Sequence, residues 1–420
     1  MKLSLTFLKN LEALPQASQK SSAHSFSKKP VRIRNDEERK TFSNPKSSIF
    51  NSHCLVLHSP AARSNSSKLK NVRLQSLSQI NFRNLLTPRL EFGAGITTIV
   101  GANAAGKSNL LAALYLGCTG EVPSGKIVES VRLGEAEGYV NVHVERDDGV
   151  TSIEIGLAPG RKVVRLDGQT VRAFDVARVA AAVLITPEDG DLIHGSPSLR
   201  RAYLDGLLSK VSLRYALLLR EYSRVVEQRN AALKHARGED PTLDVWTDKF
   251  LELGSEIMNL RIRAMARISE IAAESYHDVA ADSKKLCVRL QSEASDLDLR
   301  ESLEASRQEE RARGVTVVGP HRDDMLLTLD THSVQAYGSR GEARTASLAL
   351  RIAEYQLLLE KHGEAPILLL DDFTAELDAK RRAFVLELAA NTPQAIVTGT
   401  ETPPQYDALY QVSGGQFSRG

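Results

Sequence analysis

The stretch Gly101-Ala102-Asn103-Ala104-Ala105-Gly106-Lys107-Ser108 constrains this chain more than any other. It follows the apolar run Ile96 to Val100 and opens the helix-forming run Asn109 to Leu116, so G-x-x-x-x-G-K-S stands between a strand and a helix N-terminus. A loop of this kind wraps its backbone N–H groups around a polyphosphate, and the helix end adds partial positive charge. Lys107 is then placed for the β- and γ-phosphates and the Ser108 hydroxyl for Mg²⁺. A nucleoside triphosphate is the expected ligand. Which of many phosphate-loop machines this is has to come from the rest of the chain.

Composition narrows the setting. The 420 residues carry a net charge of +2, with no apolar stretch of the roughly 18–20 residues that span a membrane. Cys54, Cys118 and Cys287 are scattered without a C-x-x-C pair, which argues against a disulfide frame or zinc site and for a reducing, cytoplasmic setting. Residues 1–70 hold 13 Lys/Arg against 4 Asp/Glu, or +9, which leaves −7 for residues 71–420. Nucleic-acid contact by the latter therefore needs a local basic patch. The Ser- and Lys-rich segment 1–70 lacks sustained periodicity and reads as disordered. It is open to three readings: a phosphate-tracking arm, a removable targeting peptide, or a start assigned too far upstream. Asp36-Glu37-Glu38 weighs against the second, and the third needs a non-Met start near Val72, because no methionine lies between Met1 and Met258. The expectation is that this extension is dispensable or misassigned.

From Val72 the pattern is that of a folded α/β chain. Val72 to Leu77 alternates as a strand, and a second strand near Arg89 to Phe92 leads to the phosphate loop. Tyr139 to Val144, Thr151 to Ile155 and Val163 to Leu166, with turns at Asp147-Asp148-Gly149 and Asp167-Gly168, read as an antiparallel meander. One long helix is expected from Leu199 to Lys234 and a second from about Leu243 to Ala281, broken by Gly238 and Pro241. They form either a projecting antiparallel arm or a helical subdomain packed on the core. Ile367 to Leu370 followed by Asp371-Asp372 matches the Walker B pattern, in which Asp371 holds Mg²⁺ through water and Asp372 orients or deprotonates the attacking water. Ser339-Arg340-Gly341-Glu342, just before a helical run, makes a second phosphate-binding helix end.

Together these features resemble an ABC-type P-loop ATPase head of two lobes with an inserted helical arm. The segments are lobe I with Walker A over 71–197, the arm (lobe II) over 198–313, and the return to the core over 314–420. In such heads Ser339 to Glu342 is the signature, and Glu376-Leu377-Asp378 occupies the D-loop position. The signature caps the γ-phosphate held by a second copy, which implies an ATP-dependent homodimer.

More specific stretches resemble the RecF family over roughly residues 72–400. They are Asn81-Phe82-Arg83-Asn84; Thr186-Pro187-Glu188-Asp189 running into Gly195 to Asp205; Gln228-Arg229-Asn230; Gly319-Pro320-His321-Arg322-Asp323-Asp324; and Tyr337 to Glu342. The resemblance implies a cytoplasmic DNA-repair ATPase using ATP and Mg²⁺. It would dimerise on duplex DNA and gap junctions, act with RecR and RecO to load RecA, and hydrolyse ATP slowly as a switch. Alternatives are an SMC-like DNA clamp without a mediator role, or an ABC ATPase unrelated to DNA. Gel filtration with ATP and duplex DNA separates them. The implied site residues are Gly101 to Ser108, Ser339, Arg340, Gly341, Glu342 and Asp378 for nucleotide, Ser108 and Asp371 for Mg²⁺, and Asp371 and Asp372 for hydrolysis. Asp372, one methylene shorter than the glutamate of transport heads, and Thr398 in place of their switch histidine both speak against rapid turnover. Ala104 stands where glycine is more usual, which implies a modest change in nucleotide affinity. Thr186 to Asp189 is either the loop that senses Mg²⁺ or an ordinary helix start, with the resemblance favouring the first. Arg200, Arg201, Arg214, Arg220, Arg224 and Arg229 are either a DNA-facing stripe or a solvated helix face. His321 and Arg322 either touch DNA or brace the head. No aromatic-rich basic sheet stands out, which favours phosphate contact to duplex over single-strand stacking.

Overall fold

The structure is a computed structural model that describes residues 72–235, 241–280, 282–292, 298–372 and 378–420. The segment 1–70, the break at Gly238 and the D-loop residues Glu376 and Leu377 lie outside the described residues.

Alternation of apolar residues builds two sheets. Strands β1 (Arg73–Ile80), β2 (Arg89–Glu91), β4 (Gly138–Arg146), β5 (Gly149–Ala158), β6 (Arg161–Leu166) and β7 (Gln169–Val171) form an antiparallel sheet in the order β2-β1-β4-β5-β6-β7. The expected meander is present. The other sheet carries β3 (Gly95–Val100), β8 (Ala182–Ile185), β12 (Ile367–Leu370), β13 (Gln394–Gly399), β14 (Ala408–Ser413) and β15 (Gln416–Arg419), in the order β15-β14-β3-β13-β12-β8. Five of its strands run parallel, and β12, buried along its whole length, reads as an unbroken apolar run.

The period of two then divides the molecule. Ile367 and Leu369 of β12, with Ile396 of β13, enter one core beside helix α1 (Lys107–Thr119) and the antiparallel sheet. Leu368 and Leu370, with Val397, enter a second core beside the helical segment. The expected single helix from Leu199 to Lys234 is instead two, α2 (Pro197–Val211) and α3 (Leu213–His235). Ser212 breaks them: its backbone is extended, and its hydroxyl accepts from the Tyr215 N–H at 3.3 Å, starting α3 anew. Helix α4 (Pro241–Ala280) packs along α3 and along α5 (Arg340–His362), sharing one core with the parallel sheet. The helical segment is thus a subdomain packed on the head. Strand β9 (Leu286–Gln291), for which no strand was expected, pairs with β10 (Asp324–Leu329), and β10 pairs with β11 (His332–Ser333). A last helix, α6 (Ala379–Ala390), precedes β13.

Buried arginines hold the helical subdomain together, and for Arg200 and Arg229 they correct both expectations, the DNA-facing stripe and the solvated helix face. Arg261 is 1% exposed and donates to Asp205, Asp323, the Tyr215 hydroxyl and the Pro320 carbonyl at 2.6–2.9 Å. Arg229 is buried against Glu310 and Thr316, and Arg200 grips Asp324 through two bonds of 2.7 and 2.8 Å. Arg201 donates to the Asp323 carbonyl. Of the remaining stripe residues, Arg214, Arg220 and Arg224 are exposed, and Arg214 pairs with Glu256. His321 bridges the Tyr222 hydroxyl at 2.8 Å and the Thr316 carbonyl at 3.1 Å, contacts that brace the head.

Burial pushes the His321 imidazole down from 6.5 to about 4. The folded chain therefore takes up this proton later than the unfolded chain. Stability is complete above about pH 6.5 and falls as pH drops from there toward 4. Between pH 7 and pH 4.5 the His321 contribution to that fall should be about 2–3 kcal/mol, and urea unfolding of His321→Gln should lack it.

Candidate functional site

The parallel register sets the site. Val100 of β3 lies level with Gly399 of β13, and Val397 lies level with Leu370 of β12. The phosphate loop, Thr398 and Asp371-Asp372 therefore emerge at the carboxyl end of neighbouring strands, where open α/β sheets bind ligands.

The loop itself is tightly built. A Cβ on Gly101 would lie 2.4 Å from the Val412 carbonyl oxygen, so only glycine fits against β14. Gly106 caps α1 at φ +115, a conformation open to glycine, whereas Ala104 adopts φ +64. Holding a residue with a Cβ in that region costs about 1 kcal/mol or more, which gives a physical basis for the departure noted at Ala104. The Lys107 ammonium donates to the carbonyls of Gly101 and Ala102 at 2.8 and 3.1 Å, curled over the loop it would share with phosphate.

Beside it stands the acidic pair. The Thr398 hydroxyl donates to Asp371 Oδ1 at 2.7 Å and accepts from the Asp372 N–H at 2.9 Å. Burial pushes the Asp371 carboxyl up, against the pull of the Thr398 and Ser108 hydroxyls. Asp372 takes φ +38, and its buried Oδ1 has no hydrogen-bond partner among the described residues. A buried carboxylate oxygen left open costs on the order of 1–3 kcal/mol, so its orientation suits a water or cation shell. Among the described residues no group of three or more His, Cys, Asp or Glu gathers as a metal site. The set that is present, one hydroxyl and one or two carboxylates beside a phosphate loop, fits a magnesium ion whose remaining ligands are phosphate and water.

Thr186 to Asp189 closes this cleft together with Asp371, Asp372 and residues Arg344 and Ser347 of α5. The Asp189 carboxylate accepts from the Thr186 N–H at 2.9 Å and from Arg351 at 2.6 Å. Ser339 sits elsewhere. It is exposed at the N-cap of α5, where its hydroxyl accepts from the Glu342 N–H and its own N–H donates back to the Glu342 carboxylate. Lys284 beside Glu342 holds that carboxyl down at about 2. Arg340 is exposed, and Gly341 offers its carbonyl to Arg381 at 3.2 Å. Asp378 caps α6 by accepting from the Arg381 N–H at 2.9 Å, so its observed contacts are those of a helix cap. Among the described residues, the hydrogen bonds of Ser339, Gly341 and Glu342 go to Lys284, Thr345, Arg381 and one another rather than to the phosphate loop.

Two contributors were not singled out as site residues. The turn Asn81 to Asn84 leans on α1: Arg83 donates to Asn109 at 3.0 Å, and Asn109 donates to Asn84 at 2.8 Å. Asn81 and Arg83 both carry positive φ. The β14–β15 hairpin then clamps the loop, with the Gly415 N–H donating to the Ala105 carbonyl and the Leu86 N–H donating to the Gly415 carbonyl, both at 2.8 Å. The family-specific stretch Asn81-Phe82-Arg83-Asn84 is the sequence signal for the turn; the hairpin has none. With the geometry in hand, Ala104→Gly should keep triphosphate affinity or tighten it up to about threefold, while Ala104→Val should weaken it by about tenfold or more, as titration with a fluorescent nucleotide would read.

The family model described as the RecF/RecN/SMC N terminal domain matches residues 73–414. The chain is 48% identical over 347 residues to the DNA replication and repair protein RecF of Deinococcus radiodurans, covering 83% of this chain and 96% of that one. The corresponding protein of Deinococcus deserti is 47% identical, with 83% and 95% covered. Among solved structures, that of the recombination mediator protein RecF with ATP in the RecFOR pathway superposes with a TM-score of 0.79 at 29% identity, covering 84% of this chain and 99% of the other. An Smc head from Pyrococcus furiosus shares the fold, at a TM-score of 0.50 and 17% identity. The expected ABC-type α/β head is therefore the fold observed, and the chain belongs to the RecF family.

Proposed function

We propose that this protein is an ATP-gated DNA-repair factor in which two copies close around two ATP molecules on gapped duplex DNA, acting with RecO and RecR to load RecA. The observation that carries the dimer is the separation of the two phosphate-binding ends. The phosphate loop, Thr398 and Asp371 stand together at the carboxyl end of neighbouring strands, whereas Ser339 at the N-terminus of α5 is exposed and, among the described residues, exchanges its hydrogen bonds with Glu342. A second copy related by a two-fold axis would bring its Ser339 to the open side of the γ-phosphate.

Within each site the backbone N–H groups of Gly101 to Gly106 would cradle the β-phosphate, and Lys107 would leave the loop carbonyls for the phosphate oxygens. Ser108 and Asp371 would hold Mg²⁺, which supplies positive charge to the β- and γ-phosphate oxygens. Asp372 would orient or deprotonate the attacking water. Because the γ-phosphate contributes to both halves of the interface, ATP favours the dimer and hydrolysis releases it. Asp372 in place of glutamate, and Thr398 held by two hydrogen bonds, support slow turnover suited to a switch. The similarity to RecF proteins named for DNA replication and repair, and to a recombination mediator bound to ATP, supports the DNA and RecFOR roles. Exposed Arg220 and Arg224 on α3 are available for duplex phosphates.

Gel filtration with ATP and gapped duplex tests this reading. Lys107→Ala should lose nucleotide binding and dimerisation together. Ser339→Ala should keep ATP affinity within about threefold yet fail to dimerise, and loss of both would contradict a role in a second copy's site. Thr398→Val should slow ATP turnover about tenfold with little change in ATP affinity, as single-turnover kinetics would show.

A further inference from the structure

A chain of buried polar groups joins the two cores of the head. Tyr115 lies on α1, the helix that begins at the phosphate loop, and packs against the first core. Its hydroxyl accepts from the Lys210 ammonium of α2 at 2.9 Å. Lys210 also donates to Glu354 Oε1 on α5 at 2.7 Å, and Arg351, one turn earlier on the same helix, donates to Glu354 Oε2 at 2.8 Å. Arg351 then reaches Asp189, whose turn lines the cleft with Asp371 and Asp372. Glu354 is 2% exposed, Asp189 7% and Lys210 12%, so the charges are closely matched and largely desolvated.

Such a network does not pay for itself in stability. Replacing a buried ion network with apolar side chains of similar volume is often neutral or stabilising. Its position suggests a different use. Helices α1 and α5 lie on opposite faces of the parallel sheet, in separate cores, and Lys210 is bonded to both. Apolar packing between rigid cores resists sliding, whereas ion pairs can exchange partners as the cores shift. One end of the network is the helix carrying Lys107 and Ser108; the other is the helix capped by Ser339.

We propose that Lys210 and Glu354 are positioning residues that couple the phosphate loop to the signature helix. Through them, occupancy of the loop sets the orientation in which Ser339 is presented to a second copy. This rests on the ATP-dependent dimer proposed above. Neither residue lines the cleft beside Asp371 and Asp372, so their loss separates binding from its consequence.

The test replaces the pair with apolar residues of similar size, Lys210→Met with Glu354→Leu, in the full chain. ATP affinity by fluorescent-nucleotide titration should stay within about threefold of the wild type, while the ATP-dependent dimer measured by analytical ultracentrifugation should weaken about tenfold or more. Lys210→Arg, which keeps a cation at that position, should stay within about threefold in both readings. A Met/Leu variant that binds ATP and dimerises as tightly as the wild type overturns the coupling. A wild-type chain that stays monomeric with ATP overturns the dimer instead. Should the double variant not fold, Tyr115→Phe decides: dimerisation weakened by clearly more than about threefold at unchanged ATP affinity supports the coupling, and dimerisation within about threefold of the wild type overturns it.

Discussion

Three parallel strands, β3, β13 and β12, end level with one another, and their pairing sets the phosphate loop, Thr398 and Asp371-Asp372 side by side. A slip of one residue in β12 would turn Leu368 and Leu370 toward the wrong core and carry Asp371 out of reach of Thr398. The two hydrogen bonds of Thr398 lock that register at its functional end, one to the Asp371 carboxylate and one to the Asp372 backbone. On the other side of β3 the C-terminal hairpin presses on the phosphate loop, so Gly101 admits no side chain and the loop is held before any ligand arrives. The site is thus stiff where it holds phosphate, which reduces the ordering cost of binding.

The helical subdomain follows a different rule. Its contacts depend on arginines buried with carboxylates, Arg261 with Asp205 and Asp323 and Arg229 with Glu310. Removing one partner of such a pair leaves an uncompensated charge, a loss of about 3–5 kcal/mol, so these contacts fix one arrangement of α3, α4 and the Gly319 to Asp324 segment. The stretches most specific to the RecF family in this region, Gln228-Arg229-Asn230 and Pro320 to Asp324, are thereby explained as architecture. His321, buried between Tyr222 and Thr316, belongs with them.

The sequence disclosed what depends on local backbone chemistry. A phosphate loop needs its glycines and lysine at fixed spacing, a buried parallel strand reads as four apolar residues, and Ser339 with Glu342 spells out a capping box. It concealed what depends on partners far along the chain. Arg200 and Arg229 have the helical spacing of a solvent-facing stripe, and only Asp324 and Glu310, more than 80 residues away, turn them inward. Ser212 interrupts a helical pattern whose apolar residues continue in phase, so the break is set by one extended residue. The hairpin at Ala408 to Arg419 carries no chemical motif, yet it touches the phosphate loop because β14 pairs with β3. Asp378 shows the converse: a motif position pointed to nucleotide, and its observed hydrogen bonds are those of a helix cap.

The central claim is that the ATP site is shared between two copies, with Lys107 from one and Ser339 from the other. Mixing Lys107→Ala protein with Ser339→Ala protein tests it directly, with ATP turnover as the readout. Each variant alone has no complete site. If the site is shared, a mixed dimer contains one intact pairing, and turnover reappears on mixing and rises as the two proteins approach equal amounts. If both groups serve the nucleotide of their own chain, no mixture contains an intact site, and turnover that stays at the level of the separate variants would contradict the account.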